Sequence, residues 1–575
     1  MNKYVLLSLL SSLLLCPLFG QNQLAIPDTA VGPVINLNLQ TGSVNFYTAA
    51  TQTMGANGDI LGPTLILQKG DSVTINVTNN LPDTTTVHWH GLHVSPENDG
   101  GPHSIIPVGT TWTSRIEVMD HAATYWYHPH LHMHTNEHVT KGLAGFIYVR
   151  DSEEAALTLP RTYGVDDIPL VVQSRSFDSG SQFTHGNAYD TVILVNGTKD
   201  PFVDLPAQVV RLRLLNGSSE RVYNFGFSDN RSFQMIASDG GLLNAPVSMT
   251  RLRLAPGERA EILVDLQGAL GQTLYLMSYA ATLASGIYGA AQPGMGPGQT
   301  IPGYTSNPLN GANFNLLQIN VVAQSAGAVT TIPSTLVTNT PWSVASASTT
   351  RTLTFTPQTM GPTAIQGPFF INGTTFDMQV INYTIPLGSV EIWTLTNNSP
   401  IAHPFHIHDV QFYVLDRNGQ TPAAHEQGRK DVILVESGGG TVRFITKFED
   451  FASDTMPYMY HCHMLTHEDD GMMGQFLVVD TSTVTGLNVS SIKKPIAYQF
   501  FPNPMGEEGL LVFDNPENLE VNLAIYNVQG SIVRQAQYSG TNQIVLKRDG
   551  LQSGFYFFRL QRADGEVLTV KFMLE

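Results

Sequence analysis

Cysteine is almost absent from this chain of 575 residues, which contains only two. Cys16 lies in the N-terminal run MNKYVLLSLLSSLLLCPLFG, whose early lysine, apolar centre and small-residue end predict a secretory signal peptide over residues 1–20. Removal of that segment would leave Cys462 alone and exclude an intrachain disulfide. A lone thiol in an oxidising compartment is usually protected, and a bound metal would protect it.

Basic residues and long apolar runs are also scarce. The chain has 29 Lys and Arg against 47 Asp and Glu, which gives a formal net charge of −18. This balance argues against nucleic acid as a partner, and solubility is its simpler explanation. After the N-terminal run, no stretch is long and apolar enough to span a bilayer. The sequence therefore predicts an exported protein without a membrane span.

Amphipathic helical patterns are rare, whereas alternating or β-branched segments that end at Gly, Pro or Asn are frequent. Three of these segments are related: GDSVTINVTNN starts at Gly70, AQVVRLRLLNGSS at Ala207 and GSVEIWTLTNNS at Gly388. They predict an all-β chain with three related Greek-key β-sandwiches and a small C-terminal β-sandwich. The expected bounds are residues 24–155, 156–335 and 336–482 for the three sandwiches, and 493–575 for the C-terminal unit.

Four His-x-His pairs dominate the histidine pattern. Two pairs lie in the first predicted sandwich and two in the third, and the later pairs follow the earlier ones at constant offsets of 318 and 333 residues. Two related domains therefore each contribute two pairs, which predicts one site shared between them. The pairs are His88 and His90, His128 and His130, His406 and His408, and His461 and His463.

The strand period explains this spacing. Residues i and i+2 of a strand share a face, so both imidazoles of a pair can reach the same metal cluster. Cys462 lies between His461 and His463, so its sulfur is expected to point the opposite way, toward a different metal. His403 has the opposite parity from the pair that follows it, and it can join Cys462 and His467 in that second site.

A cysteine, two histidines and a weak axial methionine form the blue-copper electron-transfer site. Met472 lies ten residues after the cysteine, and the adjacent Met473 is its competitor. Zinc also accepts Cys and His ligands, but a zinc site does not explain eight additional paired imidazoles. A strand-surface role could explain one His-x-His pair, but not four pairs at repeated offsets.

Taken together, the motifs HWHGLHVSPENDGGPHSIIPVG, YWYHPHLH, IASDGGLL, HPFHIH and HCHMLTHEDDGMMG resemble those of the multicopper oxidases, especially bacterial laccase-like enzymes and cuprous oxidases. The resemblance covers residues 24–482 and implies three cupredoxin domains with four coppers. Matched by motif, the implied type 1 ligands are His403, Cys462, His467 and Met472. The implied type 2 ligands are His88 and His406, and the type 3 ligands are His90, His128, His130, His408, His461 and His463.

The resemblance also implies a reaction. A reducing donor would give single electrons to the type 1 copper, and these would pass along Cys462 to the other three coppers, where dioxygen is reduced to water. Oxygen reduction consumes protons, and Asp99 and Glu468 align with acids that act as proton relays in bacterial relatives. A turn or surface role is the alternative for both acids. The expected partners are O2 and a small-molecule or metal-ion electron donor.

The nature of the donor is less clearly marked. Cuprous oxidases carry a Met-rich insert, together with an Asp and a Met just before the HPFHIH motif. Here Ser399 and Ile401 hold those two positions, and the glycine-rich stretch GIYGAAQPGMGPGQTIPG contains only Met295. We therefore expect a laccase-like oxidase of phenols or aromatic amines. The alternatives are a cuprous or metal-ion oxidase in copper tolerance, and a non-enzymatic copper-binding cupredoxin protein.

Three further histidines follow the second pair, in the segment HLHMHTNEH. We interpret His132, His134 and His138 as part of a solvated loop, with an exchangeable surface copper site as the alternative.

The C-terminal unit opens with FPNP and closes with GFYFFRLQRADGEVLTVKFMLE. It resembles the sorting domain of Bacteroidetes proteins exported by type IX secretion. This resemblance implies contact with the secretion machinery and a secreted or cell-surface location, with the periplasm as the alternative. A small adhesive β-sandwich is the competing interpretation.

Overall fold

The structure is a computed structural model, and it describes residues 22–296, 298–361, 365–481, 498–527, 531–563 and 567–575. The predicted signal peptide lies outside the described residues. The chain forms two compact units, the first ending at Thr481 and the second starting at Ser482. Within the described ranges, no helix has the length and apolar character needed to cross a membrane.

The first sandwich packs a five-stranded sheet, in the order β2-β5-β10-β9-β7, against a four-stranded sheet, β4-β3-β6-β8. Strand β6 shows why the two sheets pack together. Val73, Ile75 and Val77 alternate with more exposed residues, so one face of the strand enters the core. The helices are α1 (Thr135–Thr140) and α2 (Ser152–Ala155). The strands are β2 (Thr29–Val31), β3 (Val34–Val44), β4 (Thr51–Ala56), β5 (Thr64–Gln68), β6 (Ser72–Asn79), β7 (His88–His90), β8 (Thr111–Glu117), β9 (Ala123–His128) and β10 (Gly145–Arg150).

The second sandwich has a sheet ordered β14-β13-β11-β16-β21-β18-β19, with β12 on β11, and a second sheet ordered β1-β15-β23-β22-β17-β20. Strand β16 is buried along its whole length. Leu215 on this strand packs in a cluster with Trp126 of the first sandwich. The strands are β1 (Asn22–Gln23), β11 (Asp167–Phe177), β12 (Phe183–Thr184), β13 (Val192–Val195), β14 (Thr198–Lys199), β15 (Pro201–Pro206), β16 (Val209–Asn216), β17 (Tyr223–Phe227), β18 (Phe233–Ser238), β19 (Gly241–Met249), β20 (Leu252–Leu254), β21 (Arg259–Asp265), β22 (Thr273–Tyr279) and β23 (Asn313–Val322).

The third sandwich packs the sheet β25-β24-β27-β31-β29 against β26-β33-β32-β28-β30. Its core includes Phe405, Tyr460 and Phe476 on three neighbouring strands of the second sheet. Helix α3 (Leu465–Asp469) follows β32. The strands are β24 (Thr349–Pro357), β25 (Phe369–Ile371), β26 (Tyr383–Pro386), β27 (Val390–Asn397), β28 (His403–Ile407), β29 (Phe412–Arg417), β30 (Val432–Val435), β31 (Gly440–Lys447), β32 (Tyr458–Cys462) and β33 (Met473–Val479).

The C-terminal unit is a separate small sandwich with its own core, which includes Leu523, Phe558 and Phe572. Its sheets are ordered β34-β35-β38 and β37-β36-β39-β40. The all-β prediction is confirmed, whereas the domain bounds given above remain a prediction. The strands are β34 (Tyr498–Phe501), β35 (Glu508–Phe513), β36 (Val521–Asn527), β37 (Ile532–Tyr538), β38 (Gln543–Lys547), β39 (Gly554–Arg562) and β40 (Val567–Leu574).

Candidate metal centre

The His-x-His pairs lie on equivalent strands of the first and third sandwiches. In the first, β7 pairs with β9 so that His88 lies opposite His128. In the third, β28 pairs with β32 so that His406 lies opposite His461. Directly opposed residues of an antiparallel pair share a face of the sheet, so each sandwich brings its two pairs together. All eight imidazoles of the four pairs are buried.

The structure gathers these imidazoles into groups that mix both sandwiches. In each group the candidate ligand atoms lie within 4.8 Å of one another. The residues that flank the thiol, His461 and His463, enter different groups. The groups are His90 with His128 and His463, His130 with His408 and His461, and His88 with His406 and His408.

Stacking between imidazoles joins the two sandwiches. The rings of His88 and His408 are parallel within 18°, with centroids 3.8 Å apart. The rings of His90 and His406 are parallel within 9°, also with centroids 3.8 Å apart. Each stack takes one ring from each sandwich, so neither sandwich alone completes the cluster.

Cys462 belongs to a separate group on the opposite face of β32. Its Sγ lies 3.5 Å from Nδ1 of His403 and 3.7 Å from Nδ1 of His467. The two Nδ1 atoms are 3.2 Å apart. The three residues are buried and bring their ligand atoms together, as the parity argument predicts.

The strand register distinguishes the two neighbouring methionines. Met473 lies opposite His461, so it shares the face of the imidazole cluster. Met472 packs with Cys462 in the third core, and its carbonyl accepts a hydrogen bond of 3.0 Å from the Cys462 backbone N–H. Met472 is therefore the methionine on the side of the sulfur.

The buried ring nitrogens fit metal ions. Nδ1–H of His88 donates to the Asp99 carbonyl at 2.9 Å, and Nδ1–H of His406 donates to the Asp431 carbonyl at 2.8 Å. These bonds leave Nε2 of both rings with a lone pair, and neither Nε2 has a hydrogen-bond partner among the described residues. Both ring nitrogens of His463 are unpaired in the same sense. Such buried nitrogens are costly unless a cation occupies the site.

The protonation of these groups also suits a metal. Burial is the main cause that holds the pKa of His90, His403 and His463 well below the ordinary value, and it lowers the pKa of His467 to about 3. Neutral imidazole is the form that binds metals. Burial raises the pKa of the Cys462 thiol, so a bound cation is needed to displace its proton.

Two carboxylates bridge imidazoles of different sandwiches. His408 Nδ1–H donates to Asp99 Oδ2 at 2.8 Å, and Asp99 Oδ1 lies 3.4 Å from Nδ1 of His88. Glu468 places its two carboxylate oxygens 3.3 Å from Nδ1 of His130 and 3.1 Å from Nδ1 of His461.

The neighbouring imidazoles favour the ionised form of both carboxyl groups. Burial alone would raise the pKa of Asp99 and of Glu468, but the neighbouring imidazoles outweigh it and hold each pKa well below the usual range. The structure thus places both acids on the cluster rather than at the surface. Both side chains are buried there, and their role as proton relays remains a prediction.

One functional contact escaped the sequence analysis. His90 Nε2–H donates to Oδ1 of Asp431, 3.1 Å away, and Asp431 is itself held by Arg259. Asp431 directly precedes β30, which pairs with the strand of His403 and His406. The sequence shows that Asp431 lies just before a strand. It does not show that this strand pairs with the strand of His403 and His406.

The remaining histidines are dispersed. His138 is buried on α1 with Nδ1 3.1 Å from Thr85 Oγ1, so the solvated-loop interpretation is wrong for this residue. The side chain of His134 is half exposed, and its ring centroid lies 6.0 Å from that of His138. The ring of His132 instead packs on Phe376, at a centroid distance of 5.1 Å.

Comparison with known proteins identifies the family. Multicopper oxidase models match residues 38–154, 172–292 and 339–482, and a secretion-system C-terminal sorting domain matches residues 499–575. A multicopper oxidase of Staphylococcus haemolyticus is 35% identical over 482 residues, covering 80% of this chain and 93% of that protein. The chain belongs to the multicopper oxidase family, which confirms the resemblance drawn from the motifs. The family implies copper cofactors and an oxidoreductase.

Other relatives differ in what they do. The laccase-like multicopper oxidase CueO of Ochrobactrum sp., which oxidises lignin model compounds, is 34% identical, with a TM-score of 0.69 over 79% of this chain and 100% of that one. A Campylobacter jejuni multicopper oxidase that is a metallo-oxidase is 26% identical, with a TM-score of 0.67 over 80% and 96%. The cell division protein FtsP of Sodalis glossinidius is 33% identical over 432 residues, covering 74% of this chain and 85% of that protein.

Proposed function

We propose that this chain is a four-copper, laccase-like oxidase that couples one-electron oxidation of phenols or aromatic amines to the reduction of dioxygen to water. The observation that carries the proposal is the division around Cys462: its sulfur joins one ligand set, while His461 and His463 join the other. When bound, the coppers would accept single electrons at the thiolate site and store them for four-electron reduction at the shared cluster.

The ligand assignment follows the groups of side chains. His403, Cys462, His467 and Met472 would hold the type 1 copper, and His88 and His406 the type 2 copper. The remaining six imidazoles of the four pairs would hold the type 3 pair. They are His90, His128, His130, His408, His461 and His463.

The chain itself links the two sites. Cys462 is covalently joined to both flanking ligands through the backbone. In addition, the Cys462 carbonyl accepts a hydrogen bond of 3.0 Å from Nδ1–H of His461. Electrons leaving the sulfur therefore have short routes to the two type 3 ligand groups.

Asp99 and Glu468 are placed to handle the protons that oxygen reduction consumes. Asp99 accepts a hydrogen bond from Nδ1–H of His408, and the Glu468 carboxylate lies 3.1 Å from Nδ1 of His461. The carboxylates fix those rings and can pass protons toward the reacting oxygen.

A cavity of about 330 Å³ beside His467 supports an organic donor. This volume accommodates a substituted phenol, whose ring suits the apolar part of the wall, while polar side chains line the rest. Among the described residues of its wall, Met464 is the one thioether, whereas Cu(I) prefers several soft ligands. The apolar walls are formed by Tyr288, Ile301, Ile365, Ile401 and Met464.

Glu220 supplies a polar group in this cavity. It accepts a hydrogen bond from the Thr466 hydroxyl, one residue before His467. Burial raises the pKa of Glu220 to about 7. A phenol loses a proton when it is oxidised to the phenoxyl radical, and Glu220 is the group we propose to accept that proton.

Turnover of a methoxyphenol and of Cu(I) at equal copper loading tests the donor class. We expect faster methoxyphenol turnover, and Glu220→Gln should lower kcat/KM for the methoxyphenol without changing the blue band or Cu(I) turnover. The variant carrying Ser399→Asp and Ile401→Met introduces the two residues that cuprous oxidases have at these positions. It should improve Cu(I) turnover. Rapid Cu(I) turnover by the native protein, without phenol oxidation, would establish the metal-ion alternative.

Oxygen uptake separates either oxidase from a non-enzymatic copper-binding cupredoxin protein. Copper-loaded protein should consume oxygen when a donor is added, and copper-free protein should not. A fully loaded protein that consumes no oxygen with either donor would support the non-enzymatic alternative.

We also propose that the chain is exported and that its C-terminal unit engages the secretion machinery. The sorting-domain match supports this proposal. Deletion of residues 493–575 should retain the protein in the periplasm, whereas normal export of the shortened chain would contradict it.

A further inference from the structure

The second sandwich provides none of the proposed metal ligands, yet it touches the cluster. We propose that Arg259 of this sandwich is a positioning residue for the trinuclear site, because it holds Asp431 where that carboxylate orients His90 and His406. The inference rests on the proposed function, since it concerns the copper site assigned above.

Arg259 begins β21 and is buried, with every N–H group occupied. Its guanidinium clasps Asp431 in a bidentate ion pair, with Nη1–Oδ1 and Nη2–Oδ2 distances of 2.6 Å. The other three N–H groups donate at 3.0 Å to the carbonyls of Thr124, Asp239 and Gly257. Three donors therefore anchor the rigid guanidinium to the first and second sandwiches, and the other two fix the Asp431 carboxylate of the third.

Asp431 in turn accepts hydrogen bonds from two imidazoles. Its Oδ1 accepts from Nε2–H of His90, and its backbone carbonyl accepts from Nδ1–H of His406. The two rings come from different sandwiches and stack on each other. A single residue thus sets the tautomer and the plane of one ligand from each side.

His90 differs from its neighbours in the nitrogen that it presents. His128 and His461 bond a carbonyl through Nδ1, which leaves Nε2 for a metal. His90 instead uses Nε2 for Asp431, and its Nδ1 lies 3.4 Å from Nε2 of His128. The carboxylate is therefore needed to keep the lone pair of Nδ1 directed into the group that contains His128 and His463.

Two additional features of the second sandwich bring it close to His463 and Asp431. A Cβ atom at Gly257 would lie 2.9 Å from Cγ of His463, and the positive φ of 83° also favours glycine there. Lys430, adjacent to Asp431, bonds Asp239 at 2.8 Å and Glu258 at 3.1 Å. The sequences Glu258-Arg259 and Lys430-Asp431 are thus complementary in charge across the domain interface.

The test replaces Arg259 by lysine, which keeps the charge but cannot form the bidentate fork. Arg259→Lys should lower copper affinity at the trinuclear site by about 10- to 100-fold and alter the electron paramagnetic resonance signal of the type 2 copper. The blue band of the type 1 site should remain. Asp431→Asn should give the same spectral change, and the double variant should be no worse than the more affected single variant.

Arg213→Lys is the matched control. Arg213 is equally buried in the same sheet and forms a bidentate pair with Asp167, at 2.6 and 3.0 Å, but it bonds no proposed ligand. Arg213→Lys should keep the native signal of the type 2 copper, even if the thermal stability of the protein falls. The inference is overturned if Arg259→Lys keeps the native signal and affinity, or if both lysine variants change them equally.

If Arg259→Lys does not fold, Asp431→Asn is the test. An unchanged electron paramagnetic resonance signal of the type 2 copper in Asp431→Asn would overturn the inference. A native protein without a trinuclear signal would instead refute the proposed function. The two failures are therefore distinguishable.

Discussion

The first and third sandwiches share one frame, and the difference that matters most is the residue between the histidines of the second pair. His88 lies opposite His128 in the first, as His406 lies opposite His461 in the third. Between the histidines of the second pair, the first sandwich has Pro129 and the third has Cys462. The common frame produces the imidazole pairs twice, whereas the thiol is available on one side only.

Other residues near Cys462 also differ from their counterparts in the first sandwich. At the offsets that align the pairs, Thr85 of the first sandwich corresponds to His403 and Val139 to Met472. His134 corresponds to His467, but its side chain is half exposed. The symmetric cluster thus depends on the strand frame, while the thiol site depends on side chains that only the third sandwich has.

The largest disturbance of this comparison is the removal of the thiol. Cys462→Ser should abolish the blue absorbance and donor oxidation, because a hydroxyl does not replace the thiolate ligand. The trinuclear coppers should stay bound. Pro129→Ser, at the matching position of the first sandwich, should keep both properties. Donor oxidation that persisted in Cys462→Ser would contradict the electron route through the sulfur.

The carboxylates come next, because each bridges the two sandwiches. Asp99→Asn and Glu468→Gln should each lower kcat by roughly 100-fold or more, which is the size expected for lost proton transfer. The blue band and its reduction by the donor should remain. Glu97→Gln, exposed in the same loop as Asp99, should keep native turnover. Equal loss in all three variants would indicate a structural effect instead.

A smaller effect is expected at Ser399. Nε2–H of His403 donates to Ser399 Oγ at 2.8 Å, which increases the electron donation of that ring. Ser399→Ala should therefore raise the type 1 potential modestly in a redox titration. Thr85→Ala removes a hydroxyl from the position that matches His403 in the first sandwich and should leave the potential unchanged. A lowered potential in Ser399→Ala would refute this explanation.

The smallest effect concerns His93, whose counterpart in the third sandwich is Gln411. Nδ1 of His93 lies 2.8 Å from a carboxylate oxygen of Asp409, and Nε2 lies 3.1 Å from one of Asp450. Its backbone N–H donates to Asp120. Burial alone would lower the pKa of His93, but the Asp409 carboxylate outweighs it and raises the pKa to about 10.

A raised pKa stabilises the fold at low pH, where both states are protonated, and this gain is lost as pH rises toward the folded pKa. His93→Gln should therefore reduce the free energy of unfolding most below pH 6.5 and least near pH 10. Urea unfolding at both ends of this range measures the difference. His103→Gln, which removes a bond to Gln475 instead of a carboxylate, is the matched control at each pH. A pH-independent loss in His93→Gln would contradict the pairing.

Much of the candidate site follows from local sequence. The period of a strand separates the face of Cys462 from the face of His461 and His463, and it also places His403 with the sulfur. The same argument cannot separate type 2 from type 3 ligands. That division depends on how the two sandwiches interleave, as in the stack of His88 on His408.

The roles of Asp431 and Arg259 could not be predicted in this way. Their ion pair joins residues 172 positions apart, in different sandwiches. No local periodicity reports such a contact. The all-β class could be predicted because alternation within strands is local, whereas the sheet orders depend on pairing between distant segments.

The account rests on which metal each side of β32 faces, and an anomalous diffraction map at the copper edge of copper-loaded crystals measures this directly. We expect one copper peak among His403, Cys462 and His467, and a separate cluster of peaks among the eight paired imidazoles. A peak bound by Cys462 together with His461 or His463 would contradict the account, as would separate copper sites confined to the first and third sandwiches.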